Sequence, residues 1–182
     1  MRKLATTTGY SVGALYLYFR SKEDVFHNLT EQNIERLSRC LIGLRERHKA
    51  SDPVVLLKKA MYTYVEFGTR NSADYGLAIE VYGHTQGFGA ESVIEIIRSI
   101  VDRCVAEGSF RDVEIDTVAH ALWAAVHGVT YLITRSRGFT SEGRAKVVEQ
   151  VINNAIDSLR VDRAQISRHE VSRVASPPSW TA

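Results

Sequence analysis

His120 and His127 stand seven residues apart in a stretch with helical periodicity, so the two imidazoles can share one face. Such a pair could ligate a metal, but no carboxylate-rich cluster lies nearby to complete the site. Cys40 and Cys104 fall on separate helical stretches, with no second cysteine close and no evident base in the sequence. They give neither metal-ligand spacing, nor a disulfide framework, nor an activated nucleophile, and both read as small buried side chains. HExxH and a phosphate-cradling glycine loop are both absent from the chain. No catalytic residue, metal ligand or cofactor is assigned on this basis.

The sequence does supply rings. Tyr64 and Phe67 share one helical stretch, Tyr75 and Tyr82 the next, Phe88 sits in a glycine-rich loop, and Trp123, His127 and Tyr131 follow later. Aromatic walls with a few hydroxyls and an imidazole suit a largely apolar small molecule bearing one or two polar groups. The same rings serve equally as core, with His127 a satisfied buried histidine. Trp123, His127 and Thr130 recur at helical spacing on one side, while Ala121, Ala124, Ala125 and Gly128 are small enough to admit another helix.

These residues have to be positioned by helices, because periodicity gives no alternating strand pattern of useful length. The chain reads as all-α. Ser21 caps a long amphipathic helix to about Arg47, Asp52-Pro53 starts another that ends at Asn71-Ser72, and a shorter segment runs from about Ala73 to Val81. A helix from about Ala90 ends at Gly108, and the stretches from Asp116 to Arg135 and from Ser141 to Leu159 form an antiparallel pair. Val147, Val151, Ala155 and Ile156 make the last helix apolar over more of its circumference than one buried face requires. A partner helix pair would cover them. After Val161 the stripe is lost and Ser-Pro-Pro-Ser follows, which predicts a mobile tail over 161–182.

With 182 residues, 45% hydrophobic content and three prolines, the chain can bury a real core. No apolar run reaches membrane-spanning length and no cleavable leader opens it, so the cytoplasm is the expected compartment. The net charge of +2 is divided unevenly: residues 1–22 carry +4 and the remainder −2. That asymmetry fits a small DNA-facing head on a larger body, or an ordinary solvated surface.

The electropositive end contains "GYSVGALYLYFRSKED", Gly9 to Asp24. Leu4 and Ala5 lie on one face of a short helix, Gly9 can end it in the left-handed conformation, and Ser11 can cap a second short helix from Val12 to about Phe19. Leu15 and Phe19 then point inward, leaving Val12, Gly13, Ala14, Leu17 and Tyr18 outward or at the rim. Helix, tight turn, helix describes a DNA-reading motif or a plain helical hairpin.

"MRKLATTTGYSVGALYLYFRSKEDVFHNL" resembles the DNA-binding end of the TetR family of transcriptional regulators, through "KLA" before the glycine, "S-x-G-A-L-Y-x-Y-F" and "S-K-E-D". The resemblance implies a helix-turn-helix head (1–24), a helical ligand-binding and dimerisation domain (25–160) and a tail (161–182). It places Arg2 on DNA, Val12, Gly13, Ala14, Leu17 and Tyr18 in the major groove, and Tyr16 and Lys22 on phosphates. Family members carry a further helix before this segment, so the head is expected to lack its first helix and to bind DNA poorly. "ALWAAVHGVTYLI", Ala121 to Ile133, resembles the Trp-His-Gly motif of one subgroup of C-terminal domains. The last two helices would then form the homodimer interface. The implied function is a ligand-responsive transcriptional regulator, a repressor that leaves a palindromic operator when a small effector binds. The alternative is a dimeric ligand-binding or interaction protein that has lost DNA binding through the truncation.

Overall fold

Local signals set the helix ends in the computed structural model, which describes residues 1–72, 75, 91–136 and 138–161. Gly9, at φ 74°, takes the left-handed turn that ends α1 (Arg2–Thr8). Ser11 then caps α2 (Val12–Tyr18), its Oγ accepting from the Ala14 N–H at 3.0 Å. Ser21 does the same for α3 (Lys22–Arg47) through the Asp24 N–H at 3.1 Å. Asp52 accepts from the N–H groups of Val54 and Val55 to open α4 (Pro53–Arg70), with Pro53 in the first turn, where no N–H is needed.

Three further helices complete the described residues: α5 (Glu91–Ala106), α6 (Ile115–Arg135) and α7 (Ser141–Asp157). Helix α6 begins a residue before Asp116, because the Glu114 carboxylate caps it by accepting from the N–H groups of Asp116 and Thr117. Thr140 caps α7. The expected all-α class holds among the described residues, where the extended pairing is a single antiparallel bridge between Phe110 and Arg160. That bridge, with Arg111 N–H donating to the Leu159 carbonyl at 3.0 Å, is why α7 stops at Asp157 and not at Leu159.

Helix α4 packs on α5, α6 and α7, helix α6 packs on α5 and α7, and α3 joins α4 and α5 through its C-terminal half. Their shared core holds Leu56, Leu57, Ile97, Ile100, Val101, Val126 and Ile152, all almost fully buried. Arg98 on α5 reaches Asp116 at the start of α6 and Glu95 on its own helix, an exposed ion-pair link between the two helices. The head is smaller, with Ala5, Leu15 and Val25 as its buried apolar side chains.

Cys40 departs from expectation. It lies exposed, because the buried stripe of α3 runs through Leu37, Ser38 and Leu41 and leaves residue 40 on the opposite side. Cys104 is buried as expected, and burial pushes its thiol up to about 12, which keeps it protonated and unreactive. Most of the predicted segment at 73–81 lies outside the described residues, as does the tail beyond Val161.

Candidate functional site

Two groups of residues could do chemistry or recognition, one in the head and one in the body. In the head, α2 has only one buried side chain, Leu15, and Phe19 is half-buried behind it. The other face presents Tyr16, Leu17 and Tyr18, the last two 84% and 80% exposed. Leaving such large apolar groups in water on a short capped helix has no benefit to the head's own packing, so their position makes this face a candidate contact surface. Gly13 is exposed beside them, and Val12 and Ala14 are half-buried at the rim.

Arg2 and Lys22 are exposed in the same head. Lys22 is the first residue of α3, where unpaired N–H groups already favour anions, and its ammonium lies 5.1 Å from the Phe26 ring centroid. Tyr10, 64% exposed in the turn before α2, is a further exposed ring of the head and is absent from the residues picked out by sequence. Its place next to a helix-ending glycine is the available signal.

The second group lies in the body. Tyr64 on α4 and Tyr75 beyond α4 both place their hydroxyls 2.8 Å from His127 Nδ1 on α6. The Tyr75 hydroxyl also donates to the His127 carbonyl oxygen at 3.2 Å, and the two phenol oxygens are 3.4 Å apart. Trp123, one turn before His127, stacks on the imidazole with centroids 4.9 Å apart and planes 25° from parallel. Burial lowers the His127 pKa from its ordinary value and pushes the Tyr64 phenol up to about 12, against opposing hydrogen bonds from Tyr75 and Trp123. Burial likewise raises Tyr75. All three side chains are therefore uncharged near neutral pH.

Gly68 lets this cluster close. A Cβ at Gly68 would strike the γ-methyl of Thr130 and stand 3.3 Å from two carbons of the Tyr75 ring, so α4 and α6 approach here more closely than any other residue permits. Thr130 is fully buried, and its hydroxyl donates to the Val126 carbonyl at 2.7 Å. A glycine in the last turns of a helix is the only sequence trace of that crossing.

Of the eight predicted pocket residues, Tyr64, Tyr75, Trp123 and His127 are brought together. Phe67 packs half-buried against the core. Tyr131 does not join them: it is exposed, with the Arg135 guanidinium carbon 5.9 Å from its ring, because residue 131 falls on the outer side of α6. Tyr82 and Phe88 lie outside the described residues. On α7, Val147, Val151 and Ala155 form a half-buried row. Ile156 is turned the other way, 2% exposed in line with Val148 and Ile152 in the monomer's own core, and is removed from the candidate dimer face. Among the described residues no group of His, Cys, Asp and Glu is placed to hold a metal, and no helix is long and apolar enough to cross a membrane.

A capped two-helix head joined by one long helix to an all-α body has the form of a helix-turn-helix protein. Comparison with known proteins agrees. The family described as "Tetracyclin repressor-like, C-terminal domain" matches residues 57–158, and "Bacterial regulatory proteins, tetR family" matches residues 1–29. The chain belongs to the TetR family of bacterial regulatory proteins, whose members bind DNA, form dimers and are regulators and not enzymes.

Nucleoid occlusion factor SlmA of Haemophilus ducreyi is 38% identical over 69 residues, covering 38% of this chain and 33% of that protein. SlmA of Actinobacillus pleuropneumoniae is 37% identical over 71 residues, with the same coverage. The chain thus spans about a third of the length of the curated relatives it matches. Among solved structures, a protein of unknown function from Rhodococcus sp. RHA1 superposes with a TM-score of 0.70 at 21% identity, covering 88% of this chain and 84% of that one. The TetR-family regulator PfmR from Thermus thermophilus gives 0.63 at 19%, covering 85% of each chain. These two share the fold.

Proposed function

We propose that the protein is a ligand-responsive transcriptional regulator, a repressor that binds a palindromic operator as a homodimer and leaves it when a small effector binds the body. The observation that carries this reading is the continuity of α3. It begins at Lys22, four residues past Tyr18 at the end of α2, and runs unbroken to Arg47, packing on α4 and α5. The hydroxyls of Ser38 and Ser92 lie 2.7 Å apart, and Arg45 Nη1 donates to the Ser99 hydroxyl at 3.1 Å, so α3 is fastened to α5. A displacement in the body reaches the head along one helix of 26 residues, about 39 Å long.

In this reading residues 1–24 are the head, with Arg2, Val12, Gly13, Ala14, Leu17 and Tyr18 facing the groove and Tyr16 and Lys22 meeting phosphates. Residues 25–160 bind effector and partner. The effector contacts Tyr64, Tyr75, Trp123 and His127, and the Trp-His-Gly subgroup assignment rests on Trp123, His127 and Gly128. Val147, Val151 and Ala155 of α7, with Ala121, Ala124 and Gly128 of α6, face the partner subunit. The two recognition helices of the dimer then enter successive major grooves about 34–36 Å apart.

Fluorescence anisotropy with duplexes tiled across the region upstream of the protein's own gene tests this. One duplex should bind in preference to unrelated DNA, with affinity falling linearly on a log–log salt plot. Equal affinity for every duplex would remove the operator reading.

A further inference from the structure

We infer that the effector site takes an uncharged molecule, one that carries a hydrogen-bond acceptor such as a carbonyl on a flat apolar body. This rests on the reading of the Tyr64–Tyr75–His127–Trp123 cluster as the effector site.

The hydrogen bonds of the cluster fix what it can offer. Two phenol hydroxyls stand 2.8 Å from one nitrogen, His127 Nδ1, which has room for a single strong hydrogen bond. Tyr75 has a second acceptor, the His127 carbonyl at 3.2 Å, so the arrangement that lets both phenols donate through contacts shorter than the 3.4 Å between their own oxygens has Tyr64 donating to Nδ1 and Tyr75 to the carbonyl. With Nδ1 accepting, the ring proton sits on Nε2. Nε2 has no partner among the described residues. No buried side-chain nitrogen or oxygen among them lacks one, so Nε2 keeps access to solvent. It presents an N–H donor edged by the stacked Trp123 ring, which a carbonyl-bearing flat molecule can meet with both its polar group and its face.

Charge decides the class. No lysine or arginine occurs between Arg70 and Arg98, or between Arg111 and Arg135, so neither the segment holding Tyr75 nor the length of α6 up to residue 134 carries a permanent cation. Arg70, at the end of α4, is exposed and paired with Glu66 at 2.5 Å. A carboxylate or phosphate seated on the cluster would lose water without gaining an opposite charge. His127 could supply one only by protonating against its burial.

The test is isothermal titration of the full chain at about pH 7.5, close to neutrality where the imidazole is uncharged, with three probes sharing one body: 2-acetonaphthone, 2-naphthoate and 2-ethylnaphthalene. The ketone should bind at least about tenfold tighter than the carboxylate. His127→Phe should weaken the ketone by about three- to tenfold, the worth of one hydrogen bond, and leave the hydrocarbon unchanged. His127→Gln, which keeps a neutral N–H donor, should retain more ketone affinity than the phenylalanine variant, and stands in for it if that variant does not fold. Carboxylate binding equal to or tighter than ketone binding overturns the uncharged class while keeping the site. Equal losses for ketone and hydrocarbon overturn the acceptor. Silence from all three probes overturns the effector-site reading beneath it.

Discussion

Replacing Gly68 with alanine puts the crossing of α4 and α6 to a test whose sign is informative. The added Cβ meets the Thr130 γ-methyl head-on and presses on the Tyr75 ring. Thr130 has little freedom to move aside, since it is buried, β-branched and tied by its hydroxyl to Val126. Overpacking a filled site of this kind costs about 1–3 kcal/mol. Exchanging a helical glycine for alanine returns up to about 1 kcal/mol by reducing backbone freedom in the unfolded chain. The expected net is a loss of roughly 0–3 kcal/mol, where an uncrowded site would show a gain. Adding Thr130→Ser removes the offending methyl, so the double variant should recover stability, with a coupling energy of about 1 kcal/mol. Urea unfolding followed by circular dichroism, at one fixed protein concentration because the proposed dimer would link stability to concentration, measures all four corners of the cycle. A Gly68→Ala protein more stable than wild type, or simple additivity with Thr130→Ser, would refute the close approach that holds Tyr75 over His127.

Four other outcomes follow from named contacts. Lys22→Ala should weaken binding to every duplex alike and reduce the magnitude of the log–log salt slope by about one, read by anisotropy at several salt concentrations. Val151→Glu should shift the protein from about twice 20.4 kDa to the monomer mass in light scattering, whereas Ile156→Ala should lower stability by about 2–5 kcal/mol because that side chain fills the monomer core. His127, whose pKa is lowered by burial, binds its proton more readily in the unfolded chain; its contribution to stability is therefore complete above the ordinary histidine value and is lost as pH falls below about 6.5. Thermal melts from about pH 7.5 down to about pH 5.5, spanning the ordinary histidine range, should show a steeper decline for wild type than for His127→Gln, and parallel curves would count against a buried neutral imidazole.

Helix boundaries are legible in the sequence because their causes are local. Ser11, Ser21 and Asp52 each satisfy N–H groups two or three residues ahead, and Gly9 and Gly108 adopt positive φ within their own turns. At the start of α6, where Glu114 caps in place of Asp116, the competing acids are only two residues apart. Long-range facts are harder to read. Tyr64 and His127 are 63 residues apart, and the sequence nominates both without showing that they touch. Cys40, Tyr131 and Ile156 each differ from expectation through the rotation of a helix about its own axis. A helix apolar over a wide arc does not say which half of that arc its own monomer covers. On α7 a turn of about 100° separates the buried row of Val148, Ile152 and Ile156 from the half-buried row of Val147, Val151 and Ala155.

On the proposed reading, an effector at His127 has two routes to the head. One is polar: α6 meets α5 through Asp116 and Arg98, and α5 meets α3 through Ser92 with Ser38 and Ser99 with Arg45. Asp116 is well exposed, so its ion pair is worth little, and a neutral hydroxyl pair contributes about 1 kcal/mol. The other is apolar. Helix α4 carries Tyr64 and Gly68 toward α6 and packs against α3 through the core that holds Leu37, Leu41, Leu57 and Met61. Allosteric couplings of about 1–3 kcal/mol, or roughly 5- to 150-fold in affinity, are at the upper end of what the polar contacts can supply singly and are small beside a repacked helix interface. The apolar route through α4 therefore carries the larger share, and the serine and arginine contacts hold the register in which α3 responds.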